Sequence, residues 1–158
     1  MKNIVKSIII CIAALFLQTV YADNANSPIG YWKTIDDVTG KPKSILQISL
    51  ANKNMLMGTV VKIFPRPGYD ENEVCSACTG SRHNKRIVGM VIMENLKQSS
   101  SNPNEWKGGK ILDPLNGKTY HCYIQVIENG QKLNVRGYIG LPLFGRSQTW
   151  LRVNSPTG

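Results

Sequence analysis

Cys75 and Cys78, in the stretch NEVCSACTGSRHNKR, are separated by two residues, and His83 follows five residues later. Side chains of these types at this spacing suit a redox centre, a zinc site or a structural disulfide. Redox catalysis of the thioredoxin kind needs the cysteine pair at the start of a helix, whose dipole stabilises the attacking thiolate. The Thr-Gly-Ser run at 79–81 predicts a turn instead, so the pattern disfavours redox catalysis.

A zinc site would need a fourth ligand, which Cys122 could supply to complete a Cys3His set. However, the N-terminal segment at 1–22 predicts export, and an exported protein meets oxidants before it finds spare zinc. The pattern therefore favours a structural disulfide and predicts no metal.

A disulfide among the three cysteines of residues 23–158 leaves one cysteine unpaired, and the strand pattern TYHCYIQVI indicates that it is Cys122. Alternation places Cys122 between Tyr120 and Ile124 on one face, as a small core residue. Chain entropy argues for a bond to Cys122, since closing the longer loop contributes roughly 4 kcal/mol against about 2 kcal/mol for the short ring. We favour the bond between Cys75 and Cys78 because both lie in one exposed turn, and pairing of either with Cys122 stays open.

Residues 1–22 read MKNIVKSIIICIAALFLQTVYA, with lysines ahead of an apolar run at 8–17 and a small residue at the end. This order is typical of a secretory signal peptide. The apolar run is shorter than the roughly 20 residues of a transmembrane helix. We expect cleavage near Ala22/Asp23, one domain over residues 23–158, a periplasmic or secreted location, and no transmembrane segment after signal removal.

The chain is basic: 19 Lys and Arg residues against 10 Asp and Glu give +9, and removal of Lys2 and Lys6 leaves +7. The basic residues are scattered rather than clustered, which indicates a solvated surface able to attract an anionic envelope polymer. An exported protein is not expected to meet nucleic acid.

The rest of the sequence alternates short runs rich in Val, Ile, Tyr and Trp with joints rich in Gly, Asn and Pro, the pattern of β-strands and turns. ENLKQSSSNPN at 94–104 would hold at most one turn of helix. The predicted strands are GYWKTI, KSILQISL, MLMGTVVKIF, RIVGMVIM, EWKGGKILD, KTYHCYIQVI, KLNVRGYIG and SQTWLRV.

About eight antiparallel strands joined mostly by tight turns predict an all-β, up-and-down barrel, because closure removes exposed strand edges. An open β-sandwich is the alternative. An eight-stranded barrel is either filled by side chains or open to one small ligand. The function therefore depends on whether the interior is full.

Four blocks of the sequence are IGYWKTIDDVTGKPKSILQI, GSRHNKRIVGMVIMENLK, WKGGKILDPLNGKTY and LNVRGYIGLPLFGRSQTWLRV. They resemble the successive blocks of domain-of-unknown-function family number 2147, which comprises small secreted bacterial proteins. The resemblance spans nearly all of residues 23–158. It implies a lipocalin-like barrel in the bacterial envelope and no particular activity.

A lipocalin-like barrel also implies a structural role for Trp32 in the GYW triplet. The tryptophan of the first strand closes the bottom of such a barrel under a basic side chain of the last strand, here Arg152, with Arg136 as second choice. The contact of an Arg with an indole face contributes about 0.5 to 2 kcal/mol. The apolar LPLFGR segment at 141–146 is expected either to cap the barrel or to face a partner.

No catalytic constellation emerges from the sequence. His83 and His121 have no Ser or Cys nucleophile in a recognisable elbow motif. Asp36 and Asp37 are adjacent in a turn, where they suit turn chemistry rather than acid-base catalysis. The sequence predicts a non-catalytic protein without a cofactor.

The long connection from Pro65 to Asn84 is the most informative candidate for a binding site, since such loops are often lids. Its ends carry positive charge that could hold the carboxylate or phosphate head group of an amphipathic ligand, with the apolar tail between strands. The predicted ligand-binding residues are Arg66, Arg82, Lys85, Arg86, Ile92 and Ile124. The alternative is a braced loop that plugs a filled barrel, which would act through its surface on an envelope protein or an anionic polymer.

Overall fold

The computed structural model describes residues 26–157, so the predicted signal peptide lies outside the described residues. Eight strands account for half of this part of the chain, and 3-10 turns occupy Asn52–Asn54, Gly80–Arg82 and Glu128–Gly130. Within residues 26–157 there is no helix long and apolar enough to cross a membrane. The strands are β1 (Gly30–Ile35), β2 (Pro42–Leu50), β3 (Leu56–Ile63), β4 (Val91–Gln98), β5 (Glu105–Asp113), β6 (Lys118–Ile127), β7 (Lys132–Tyr138) and β8 (Gly145–Val153).

Each strand pairs antiparallel with the next, and β8 returns to pair with β1, where Trp32 lies opposite Arg152. The sheet is therefore a closed up-and-down barrel of eight strands, and the predicted architecture is confirmed. Closure satisfies the backbone donors and acceptors that the two edge strands of an open sheet would expose.

The connections alternate between the two ends of the barrel, as up-and-down topology requires. We call one end the open end; it carries the connections β1–β2, β3–β4, β5–β6 and β7–β8 at residues 36–41, 64–90, 114–117 and 139–144. The opposite, closed end carries the chain termini of the barrel and the three remaining turns.

Strand β4 differs from its prediction. It begins at Val91 and continues to Gln98, through residues where the sequence suggested a helical turn. Gly89 has φ +90, and the amide of Met90 donates to the carbonyl of Ile87 at 3.0 Å, so the chain turns just before the strand. The β3–β4 connection is longer than predicted as a consequence.

The core follows from alternation along the strands. In β6, Cys122, Ile124 and Val126 are buried on the inward face, as the sequence predicts. Gly109 lies opposite Cys122, and a Cβ at this glycine would come within 2.6 Å of the backbone oxygen of Glu94. A glycine at this position thus allows the close approach of β5 to β4.

Candidate functional site

A cavity of about 630 Å³ opens at the open end of the barrel. It reaches from fully buried side chains such as Leu46 to exposed ones such as Leu143 and Phe144. The barrel is therefore not filled by side chains at this end, a question that the sequence left open. The apolar wall is formed by Leu46, Val60, Ile63, Ile87, Ile92, Ile111, Leu112, Val135 and Trp150.

Two of the six predicted ligand-binding residues, Arg66 and Ile92, line this cavity. Ile124 is fully buried in the core cluster and does not form part of the cavity wall. It is an inward-facing residue of β6, as predicted, but it does not contact the cavity.

The other three predicted residues are basic and also lie away from the cavity. Arg82 forms an ion pair with Glu94 at 3.2 Å. Arg86 donates to the side-chain oxygen of Asn72 at 2.8 Å, and Lys85 is exposed. The structure thus does not assemble the predicted cluster of positive charge, because the loop directs these side chains to its outer surface.

Several polar residues at the cavity mouth were not predicted from the sequence. Lys43 and Tyr120 lie at the open-end halves of their strands, and Tyr69 and Glu73 lie in the β3–β4 connection. Arg146, at the start of β8, pairs with Asp37 and lines the mouth. Strand order could have predicted them, because in an up-and-down barrel the residues at one end of every strand meet around one opening.

The turn Arg66–Pro67–Gly68–Tyr69 places two side chains at the cavity. Reciprocal backbone hydrogen bonds of 3.0 and 2.9 Å join Arg66 and Tyr69 across it. Proline followed by a glycine with φ +79 is the combination that a type II turn requires. The guanidinium of Arg66 consequently lies 4.2 Å from the centre of the Tyr69 ring.

Cys75 and Cys78 form a disulfide, and the predicted pairing is confirmed. Both residues are buried, contrary to the exposed turn expected from the sequence. They are covered because the loop lies against the β5–β6 turn, where the sulfur of Cys75 is 3.2 Å from the carbonyl oxygen of Pro114. Because two thiols are bonded to each other, the Cys3His zinc set is not formed, and residues 26–157 place no group of three or more metal ligands together.

At the closed end, Arg152 lies over Trp32, with the guanidinium carbon 4.2 Å from the ring centre. The guanidinium also donates to the carbonyl oxygens of Ser27, Ile29 and Gly130. Trp32 is fully buried. This arrangement joins the N-terminal segment, β8 and the β6–β7 turn, and it leaves Trp32 out of the cavity.

The LPLFGR segment does not cap the barrel. Leu141, Leu143 and Phe144 are 65%, 79% and 69% exposed, and the last two form one side of the cavity mouth. Arg136 holds the loop by donating to the carbonyl oxygens of Pro142, at 2.8 Å, and of Leu143. The loop is therefore anchored through its backbone while its apolar side chains face outward.

Comparison with known proteins decides the family. The family model described as "Uncharacterized protein conserved in bacteria (DUF2147)" matches residues 30–152. The chain belongs to this family. The resemblance seen in the four sequence blocks is confirmed.

Solved structures support the same fold for this DUF2147 protein, and three of their chains match it. One is titled "Protein HP1028 from the human pathogen Helicobacter pylori belongs to the lipocalin family". It is 19% identical, with 83% of this chain and 86% of that chain covered and a TM-score of 0.68. This likeness establishes a lipocalin-like fold and nothing about activity. A search of curated proteins finds no significant match.

Among residues 26–157 of the DUF2147 protein, two side chains have shifted pKa values with clear causes. Hydrogen bonds from Thr39, chiefly from its backbone amide, lower the pKa of Asp36, which confirms its role in the β1–β2 turn. Burial raises the pKa of the Cys122 thiol to about 12. A thiol that stays protonated at neutral pH is a poor nucleophile, so Cys122 acts here as a core residue.

Proposed function

We propose that this protein is an exported barrel of the bacterial envelope that binds a small apolar or amphipathic molecule. One observation carries the proposal: the cavity of about 630 Å³ with an apolar wall and a polar mouth. Ligand pockets commonly have volumes of about 300 to 1,000 Å³ and combine apolar walls with a few polar anchors. The disulfide between Cys75 and Cys78 agrees with an oxidising compartment.

The cavity favours an apolar guest because its wall already consists of inward-facing Ile, Leu and Val side chains. Removing apolar surface from water contributes roughly 25 cal/mol per Å². Polar side chains lie mainly at the mouth of the cavity, where the head group of an amphipathic molecule would lie. Lys43, Tyr69, Glu73 and Arg146 are among them.

Titration of an isotopically labelled sample with sodium decanoate and with decan-1-ol, followed by NMR, tests the proposal. Methyl signals of Leu46, Ile92 and Val135 should shift, whereas those of Leu50, which is exposed at the closed end, should not. If saturating amounts of both probes leave the three cavity residues unmoved, the binding function is wrong.

Ile92→Trp provides the matched variant, because the open cavity has room for the larger side chain. Binding of both probes should weaken at least about tenfold as the indole occupies the ligand space. Leu50→Trp introduces the same side chain at the closed end and should bind as the wild type does. Urea unfolding of both variants verifies that the barrel is intact.

A second function, interaction with an envelope protein through the open end, is favoured by the exposed LPLFGR segment. Exposed apolar patches on soluble proteins often mark interaction sites. Replacing Leu141, which is exposed and does not line the cavity, with serine should weaken co-purification of such a partner without changing decanoate binding. If the probes fail to bind while this segment still captures a partner, the surface function replaces the cavity function.

A further inference from the structure

Arg66 carries an unpaired buried nitrogen at the edge of the cavity. In the described part of the chain, Nη1 of Arg66 is a buried side-chain nitrogen that has no hydrogen-bond partner. Buried polar groups in native proteins are nearly always hydrogen-bonded, because an unpaired donor loses its hydration without compensation. The same side chain lines the cavity, so a small rotation of the guanidinium would present this donor to a ligand.

The surroundings hold the guanidinium in place without neutralising it. Tyr69 covers one face of the group, which leaves the N–H edge free to donate in the guanidinium plane. The ion pairs formed among residues 26–157 do not include Arg66.

The acidic side chains around the mouth are not bound to Arg66. Asp113 accepts hydrogen bonds of 3.0 Å from the amide of Leu115 and from the side chain of Asn116. Asp37 pairs with Arg146, and Glu73 lies more than 4.0 Å from the guanidinium nitrogens, the limit for an ion pair. The charge of Arg66 is therefore uncompensated by direct contact.

We infer that Arg66 is the specificity-determining residue of the cavity and that it selects ligands with a carboxylate head. The planar fork of a guanidinium matches the two oxygens of a carboxylate. The hydrocarbon part of such a ligand would extend along Ile87, Ile92 and Val60, which line the same cavity. This inference rests on the proposed function and narrows it to monocarboxylic acids with an apolar chain.

Decanoate and decan-1-ol test the inference, because they share a chain length and differ in the charged head. At pH 8 the acid is ionised, and the wild type should bind it at least about tenfold more tightly than the alcohol, as expected for a hydrogen bond between charged groups. Arg66→Gln should remove this preference, so that the variant binds the acid and the alcohol with about equal affinity. Arg66→Lys, which keeps the charge but loses the fork, should retain only part of the preference.

Arg82→Gln is the matched control, since Arg82 lies in the same connection but pairs with Glu94 outside the cavity. This variant should keep the wild-type preference. The free energy of unfolding of ligand-free Arg66→Gln should stay close to that of the wild type, because loss of the contact with Tyr69 is offset by removal of an unpaired buried nitrogen.

The outcomes separate the inference from the function on which it depends. Equal wild-type affinities for acid and alcohol would overturn the role of Arg66 while the binding function stands. Loss of the preference to the same extent in Arg66→Gln and Arg82→Gln would also overturn that role. Failure of both probes to bind the wild type would overturn the binding function and the inference with it.

Discussion

Cys122 shows how the structure changes the chemistry of a single side chain. It is fully buried between Gly109 and Gly137 of the neighbouring strands. A thiol in this setting resists ionisation, which removes it from redox chemistry and couples it to the pH dependence of folding.

Cys122→Ala should lower the free energy of unfolding by about 1 kcal/mol at pH 8, because a small buried group is lost. Burial raises the thiol pKa from 9.0 to about 12 in the folded protein. Between these pH values the unfolded wild-type chain loses a proton that the folded chain retains, so stability falls as pH rises. Cys122→Ala lacks this ionisable group. The gap between the free energies of unfolding of the wild type and the variant should therefore narrow by about 1.4 kcal/mol per pH unit above 9.

Urea unfolding of both proteins at pH 8, 9 and 10 measures the gap. The two stabilities should be similar by pH 10. A gap that remains constant over this range would mean that the folded protein ionises Cys122 as readily as the unfolded chain does. Lysine and tyrosine titrations affect both proteins alike and cancel in the difference.

At the scale of elements, the β3–β4 connection depends on the β5–β6 turn for its position. Gly117 has φ +69, and a Cβ on it would lie 1.9 Å from the carbonyl oxygen of Ala77. The disulfide braces the loop internally, and this close backbone contact seats it beside the cavity. The connection is therefore docked against the barrel rather than free.

Gly117→Ala should displace the disulfide turn and lower the free energy of unfolding by roughly 2 to 3 kcal/mol, since it adds a clash to the strain of a left-handed residue. Gly40→Ala is the control: its φ is +68, and its Cβ would meet no atom within 4 Å. This control should lose only about 1 kcal/mol through backbone strain.

Amide exchange locates the effect of each substitution. Protection of residues 73–87 should fall in Gly117→Ala and remain at the wild-type level in Gly40→Ala. Equal losses of stability in the two variants, with protection of the loop unchanged, would show that the contact at Gly117 does not hold the connection.

At the scale of the whole molecule, the predicted export is compatible with the disulfide between Cys75 and Cys78, because disulfides persist in oxidising compartments. Expression of the full chain in a bacterium should yield a periplasmic or secreted protein that starts near Asp23. A chain that begins at Asp23 should remain in the reducing cytoplasm with Cys75 and Cys78 as thiols. Intact mass, measured with and without a thiol-alkylating reagent, distinguishes these products, and recovery of the full chain in the membrane fraction would contradict the signal-peptide prediction.

The sequence by itself determined the class of fold and most of its strands. Period-two runs and turn residues predicted β1, β5 and β6 with the observed bounds, because side-chain alternation and turn preference are local properties of the chain. The disulfide was predictable for the same reason, since its two cysteines are close in the sequence. The match of Trp32 with Arg152 followed from resemblance to a family of known topology, not from spacing.

Only the tertiary structure decided whether the interior of the barrel is open. Cavity volume depends on strand tilt and on which side chains from different strands meet at one level, and no local pattern records either. The same reason explains why Arg66 faces the cavity while Arg82 and Arg86, in the same connection, face outward. Loop charges are visible in a sequence, but the path of the loop over the barrel, which sets their direction, is fixed by contacts with residues distant along the chain.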